Sequence, residues 1–389
     1  MVQLRHRVGD ATREPAEWTP ELLEKVAWRR LAAEEPFRGV ATPKGVQPGL
    51  FPLRETGLDT GRARAAAQDY LAALGPEELA GGRFPMDDVS WRHWSNGARY
   101  FLRHGLCLED LDDTRRSLVL AVIGTALSAY GFQQVVDLMH LNLTIGELRG
   151  EEHLLHEWMY WFSVYGEPER GGPWGWQLDG HHVNVNCVYV GDRMVLTPTF
   201  LGAEPVTAVS GKYAGTTAFR REEAMGLQLF RSLADPQREQ AVIAEEMPLG
   251  LFAGAFRDNF ELELQGLPFA ELTPAQHAIA TELLGLYTDR AEEGQARVRR
   301  EEVLAHEAET RFAWVGDGTG PDGVFYYRIH SPVILIEFEH QRGVMFDNDV
   351  PLRHHIHTVV RTPNGNDYGV DLLRQHHERF HRADRDSRP

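Results

Sequence analysis

The stretch Trp174-Gly-Trp-Gln-Leu-Asp-Gly-His-His-Val-Asn-Val-Asn-Cys-Val-Tyr-Val190 constrains the fold more than any other part of the chain. From His181 onward it alternates with the period of a β-strand. Gly191-Asp192 then supplies a turn into Arg193-Met-Val-Leu-Thr197, a hairpin partner. Strand parity puts His182, Asn184 and Asn186 on one face, and Val183, Val185, Cys187 and Tyr189 on the other with His181. The apolar face asks for a core. Asn is depleted in strands because its amide competes for backbone hydrogen bonds. Two Asn beside a His therefore point to a polar site, the alternative being a solvated strand. Trp174 and Trp176 are candidate pocket walls, and Asn184 and Asn186 candidate substrate contacts.

A second constellation lies near the C-terminus. Glu337 sits inside Val-Ile-Leu-Ile-Glu-Phe, a run apolar on both strand faces. A carboxylate buried there needs a cation, a metal or several donors. In Arg353-His-His-Ile-His-Thr-Val-Val-Arg361, parity places His355, His357, Val359 and Arg361 on one face and His354 on the other. His-x-His on a strand presents two imidazoles to one metal. The Glu that a cupin places after this pair is missing, as is a His at 359 for a triple-His phosphate site. Arg361 has a fork suited to Glu337, to Asp367 or to a substrate carboxylate. Asp367 is a candidate helix cap or a partner to a His. His377 and His381 share a helix face without a His-Glu-x-x-His pattern and read as surface.

Elsewhere the periodicity predicts helices over 20–28, 61–74, 114–139 (capped by Asp112 or Asp113, broken at Gly131), 149–165, 221–234, 236–246, 273–309 (broken near Gly294) and 369–382. Strands are expected over 323–339, interrupted at Pro332, and over 356–360. The class is α+β, a mostly antiparallel sheet flanked by helices. Residues 1–105 read as an irregular N-terminal extension, and 106–389 as one compact unit.

The totals exclude several functions. With 40 basic and 57 acidic residues, the net charge of −17 argues against a nucleic-acid binder and against a polyanionic membrane surface. No apolar run spans a bilayer and the N-terminus has no signal core, so a cytoplasmic protein is the default. The only cysteines, Cys107 and Cys187, permit neither a disulfide framework nor a Cys-based zinc site.

The segments Tyr160–Gly166, Pro173–Asn186, Thr197–Pro205, Tyr327-Arg-Ile-His, Ile336-Glu-Phe-Glu-His-Gln and His355–Gly369 resemble the DUF3500 family, a family of unknown function. The resemblance runs from about residue 110 to about 378. It implies that the central and C-terminal motifs belong to one unit and meet in space. It implies no reaction.

These readings converge on a metal-dependent enzyme, a hydrolase of a small organic substrate. His182 and His357 would ligate a divalent ion (zinc, iron or manganese), with His181 or His355 as third ligand. Glu337 would be a ligand or general base, and Arg361 and Asp367 would complete the catalytic set. An Fe(II) oxygenase with two His and one carboxylate fits the same residues. So does a metal-free cleft for a sugar or peptide, or a buried structural network. A homodimer is compatible with the composition.

Overall fold

In the computed structural model, which describes residues 20–97, 102–320, 323–343 and 349–380, two strand-rich halves of the chain join edge to edge in one sheet. The N-terminal part contains α1 (Pro20–Glu34), α2 (Gly61–Ala72), α3 (Pro76–Gly82), β1 (Arg83–Phe84) and β2 (Leu106–Cys107). Helices α4 (Asp113–Ala126) and α5 (Ala129–Arg149) follow. The first half of the sheet is β3 (Tyr160–Gly166), β4 (Trp174–Gly180), β5 (Val183–Val190), β6 (Arg193–Val195) and β7 (Thr199–Ala203). Next come α6 (Arg220–Ser232), α7 (Asp235–Ala241), β8 (Val242–Ala244), β9 (Leu267–Pro268), α8 (Pro274–Thr288) and α9 (Glu293–Ala305). The second half is β10 (Arg311–Gly316), β11 (Phe325–His330), β12 (Leu335–Arg342) and β13 (Pro351–Arg361), closed by α10 (Val370–Phe380).

The strand order is β1-β3-β4-β5-β7-β13-β12-β11-β10-β8, with β2, β6 and β9 attached to β3, β5 and β10. Among the strands of the described residues, only β1 with β3 and β8 with β10 pair in parallel. Among the described residues there are ten helices and a mixed, mostly antiparallel sheet of thirteen strands, in keeping with the α+β expectation. The seam is β7 against β13, with His357 opposite Gly202. One face is covered by helices: Tyr327 donates to the Glu222 carbonyl of α6, and Tyr70 of α2 meets Phe162 edge-on. The other is covered by loops, with Trp91 stacked on Tyr165 and Trp94 packed on Phe200.

Local chemistry explains most element ends. The Asp112 carboxylate accepts the Arg115 N–H and starts α4; Thr273 and Gln276 form a capping box on α8. The expected break at Gly131 lies instead at Leu127-Ser128, because Ser128 caps α5. Gly131 is required for packing: a Cβ there would lie 2.2 Å from the Arg290 carbonyl oxygen. The helix expected over 149–165 is absent. Gly150, at φ 66°, stops α5, and Tyr160–Gly166 is a strand. Both faces of that strand are covered, so no polar alternation marks it, and a continuous apolar run reads equally as helix.

The boundary expected at 105/106 cuts through packed structure. Phe51, Ala67, Tyr70, Trp91 and Trp94 belong to the same core as Phe162, Val185 and Ile336. Ala67 and Tyr70 lie on one face of α2, while Phe51, Trp91 and Trp94 lie on irregular segments whose spacing carries no period. The tail beyond Phe380, including His381, and residues 1–19 lie outside the described residues.

Several histidines away from the site below, His330 buried and His93 and His104 partly so, are held without charge. Burial lowers His104 and His93 to about 4 and His330 to about 3. Each binds its proton more weakly folded than unfolded. Its contribution to stability is therefore complete above the unfolded value near 6.5 and is lost as pH falls toward the folded value. Each withheld proton contributes a slope of about 1.4 kcal/mol per pH unit in that window. Urea titrations are expected to show stability rising from pH 5 to 7; a flat profile across that window contradicts the assignment.

Candidate metal centre

Gly180 pairs with Val183, so His181 and His182 form the turn between β4 and β5 rather than the start of a strand. His182 has φ 64°, a left-handed conformation that few residues other than glycine adopt. Its neighbours hold it there. The His182 carbonyl accepts the Gly202 N–H at 2.8 Å, and the Tyr160 hydroxyl donates to the His181 carbonyl at 3.0 Å. The turn thereby aims the His182 ring across β7 toward β13.

His355 and His357 alternate along β13 and face the same side, as parity requires. Opposite His357 on β7 the sheet carries no side chain, because the residue there is Gly202. A Cβ on Gly202 would lie 2.8 Å from His357 Cδ2 and 3.3 Å from His182 Cδ2. In that space three imidazoles converge. The Nε2 atoms are 2.9 Å apart for His355 and His357, 3.2 Å for His357 and His182, and 3.4 Å for His355 and His182.

The second nitrogens decide the tautomers. His355 Nδ1 lies 2.8 Å from the Arg342 carbonyl, which can only accept, so Nδ1 carries the proton and Nε2 a lone pair. His357 Nδ1 faces Glu339 Oε1 at 3.2 Å, with the same consequence when the carboxylate is ionised. Burial holds the rings neutral. It lowers His357 to about 3, and lowers His182 and His355 well below the ordinary value, with neighbouring imidazoles adding to the effect at both. With Glu339 protonated, His357 can carry its proton on Nε2 and donate it to His355; with Glu339 ionised, two lone pairs point at each other at 2.9 Å. A cation resolves this. A metal held at about 2.0–2.1 Å from each nitrogen sets ligand atoms roughly 2.9 Å apart in an octahedral face and about 3.3 Å apart in a tetrahedron. The observed triangle spans that range.

Of the two candidate third ligands, His355 completes the triangle. His181 stacks on His182 at 3.9 Å between ring centres. Its Nδ1–H donates to Asn142 Oδ1 at 2.7 Å, while the Asn142 amide nitrogen donates to the His156 carbonyl.

The carboxylates beside the histidines are Glu339, 3.2 Å from His357 Nδ1, and Glu204, 3.6 Å from His355 Nδ1, not Glu337. Glu337 lies opposite Val359 and accepts the Phe252 and Ala253 N–H groups at 2.8 Å each and the Tyr326 hydroxyl at 2.9 Å. Three donors satisfy its burial without a metal. Glu339 lies directly opposite His357, and its Oε2 is buried with no hydrogen-bond partner among the described residues. Burial, with Glu337 adding repulsion, raises its carboxyl well above the usual range.

Arg361 and Asp367 are brought together, but in a separate buried cluster. Arg361 lies four residues along β13 from His357, roughly 13 Å at strand spacing. It contacts Asp258 at 2.9 Å and Asp367 at 3.3 Å, and Asp367 also accepts the Thr362 N–H at 2.7 Å. Burial, with Asp258 nearby, pushes Asp367 up to about 6. Asp367 caps no helix, since Asn366 accepts the Leu372 N–H of α10.

Trp174 and Trp176 pair with Tyr189 and Cys187 and share the helix-covered face, away from the three imidazoles. Asn184 and Asn186 are fully buried rather than exposed to a pocket. Asn186 accepts from Gln177 at 2.6 Å and donates to the Pro198 carbonyl at 2.8 Å, and Asn184 donates to the Gly180 carbonyl. Their amides complete the polar layer between sheet and loops. His340, on the opposite side of β12 from Glu339, accepts the Phe325 N–H and meets Glu223 at 2.9 Å.

Sequence reasoning did not single out Glu339, Gly202, Asn142 or the Arg342 carbonyl. The Glu-x-Glu pattern at 337 and 339 was visible, but which of the two faces His-x-His depends on the β12/β13 register. Gly202 offers a direct test. Gly202→Ala is expected to spread the rings and weaken metal binding by about 10–100-fold, the usual cost of disturbing groups that orient ligands. A competition assay with a chromogenic chelator reads this; unchanged affinity removes Gly202 from the site.

This is an α+β protein with a buried three-histidine group able to hold a metal ion. The chain belongs to the DUF3500 family, a protein family of unknown function, whose model matches residues 56–370. The match begins well before the motifs near residue 110 and takes in α2, whose Tyr70 packs on the sheet. No curated protein and no solved structure matches the chain. No helix among the described residues is long and apolar enough to cross a membrane.

Proposed function

We propose that this protein is a metal-dependent enzyme in which His182, His355 and His357 hold one divalent ion, and that it hydrolyses a small organic substrate. The carrying observation is the Nε2 triangle, with the His355 lone pair directed inward by the Arg342 carbonyl and that of His357 by Glu339 when it is ionised. An all-imidazole set of three suits zinc. The oxygenase alternative loses its expected carboxylate ligand, because Glu337 is committed to Phe252, Ala253 and Tyr326. A bound ion supplies Lewis acidity and a more acidic bound water. The chain's own groups do the rest. Glu339 orients His357, the Arg342 carbonyl orients His355, and burial keeps bulk water from the donors. Three protein donors leave coordination open to a small molecule. His182 and His357 are only 6% and 8% exposed, which favours a small substrate over a polymer.

Elemental analysis of the untagged protein tests the reading. About one equivalent of zinc is expected, lost in His355→Ala and His357→Ala. A protein that stays metal-free after reconstitution with zinc, iron(II) or manganese sinks it. Ester, amide and lactone panels then test hydrolysis: turnover by the loaded protein is expected and should be absent in His357→Ala. Turnover that requires dioxygen and a reductant replaces the hydrolase with an oxygenase.

A further inference from the structure

On the other side of the sheet from the three imidazoles is a second polar feature. A cavity of about 50 Å³ lies between β5–β7 and helices α5, α8 and α9. That is room for roughly three or four water-sized atoms. Val185, Thr199 and Val360 line it and lie in one row of the sheet, on the face opposite Gly202 and His357. Leu127 and Val135 close the apolar side.

Two arginines interrupt this lining. Arg193 and Arg290 are each only 3% exposed. Arg290 gives one Nη to Glu222 at 2.9 Å, and Arg193 one Nη to Glu302 at 2.7 Å. In both, Nε and the other Nη are buried without a hydrogen-bond partner. Glu302 is also shared with Arg299 at 2.8 Å. Three guanidinium groups therefore meet two carboxylates, leaving one positive charge at the cavity. Unmet charged donors beside an apolar wall are costly unless something accepts from them.

We infer that this cavity binds a small monocarboxylate. Its carboxylate takes one free nitrogen donor from each of Arg193 and Arg290, and its short alkyl group rests on Val185 and Val360. One negative charge matches the one excess positive charge. An inorganic phosphate has no alkyl group for the apolar wall, and as the dianion it carries more charge than the site balances. This site is independent of the metal centre.

Calorimetric titration of the whole protein with acetate, propionate and phosphate, at constant ionic strength in chloride, tests it. Saturable 1:1 binding of acetate or propionate is expected, unchanged after chelator treatment and in His357→Ala. Arg193→Gln should weaken it about tenfold or more, the worth of a charge-assisted hydrogen bond. Leu127→Phe, which fills the space and leaves every charge in place, should weaken it as well. Absence of saturable carboxylate binding by the wild type overturns the inference. So does preference for phosphate, loss of binding on chelation, or unchanged affinity in a folded Arg193→Gln or Leu127→Phe protein.

Discussion

Chelating the metal is expected to lower the unfolding free energy by about 4 kcal/mol at metal concentrations near a thousand times Kd. The site ties a turn at His182 to a strand at His357, positions 175 residues apart and on opposite sides of the central seam. An ion bound to both, and absent from the unfolded chain, adds its binding free energy to folding. Without it, burial keeps His355 and His357 neutral with their Nε2 atoms 2.9 Å apart, so at most the single proton of one neutral ring lies between them. His357→Ala is expected to erase the difference between loaded and chelated protein. Chemical denaturation with and without chelator reads both effects. Equal stability in the two states of the wild type contradicts a metal at this group. A large loss in His357→Ala with no metal dependence in the wild type would instead make the imidazoles a structural network.

Replacing Arg361 by Met is expected to cost about 3–5 kcal/mol, the range seen when one partner of a buried ion pair is removed. Asp258 keeps Arg92 at 2.8 Å and the Tyr368 hydroxyl at 3.1 Å, so it retains donors. Asp367 keeps the Thr362 N–H on Oδ1 but has no hydrogen-bond donor among the described residues for the buried Oδ2, and bears most of the cost. Asp367→Asn in the Arg361→Met background should therefore recover much of the loss, a coupling that a double-mutant cycle measures. Metal content of the folded fraction should not change. A cost below about 1 kcal/mol would mean that the pair is not the structural tie described, and loss of metal in a folded variant would return Arg361 to the site.

Much of this protein was legible along the chain. The alternation of β5, the turn at Gly191-Asp192, the break at Pro332 and the Asp112 cap are local, and each depends on a residue's own backbone preference. Parity along β13 also placed His355 with His357 correctly. Errors arose where local signals were ambiguous. Tyr160–Gly166 is buried on both faces and lacks the polar positions that distinguish a strand from a helix. The Trp, Asn and Glu residues chosen as site groups are polar or aromatic groups in conspicuous positions, yet each finds its partner in the core.

The sequence by itself determined the α+β class, the strand bearing His355 and His357, and the family to which the chain belongs. The tertiary structure alone decided which groups meet. The β7/β13 register sets Gly202 against His357, and the β12/β13 register sets Glu339, rather than Glu337, beside it. A two-residue turn, not a strand, swings His182 over the gap. The physical reason is that strand register fixes side-chain contacts to within one residue. That register is set by long-range pairing between distant segments, which no local period records.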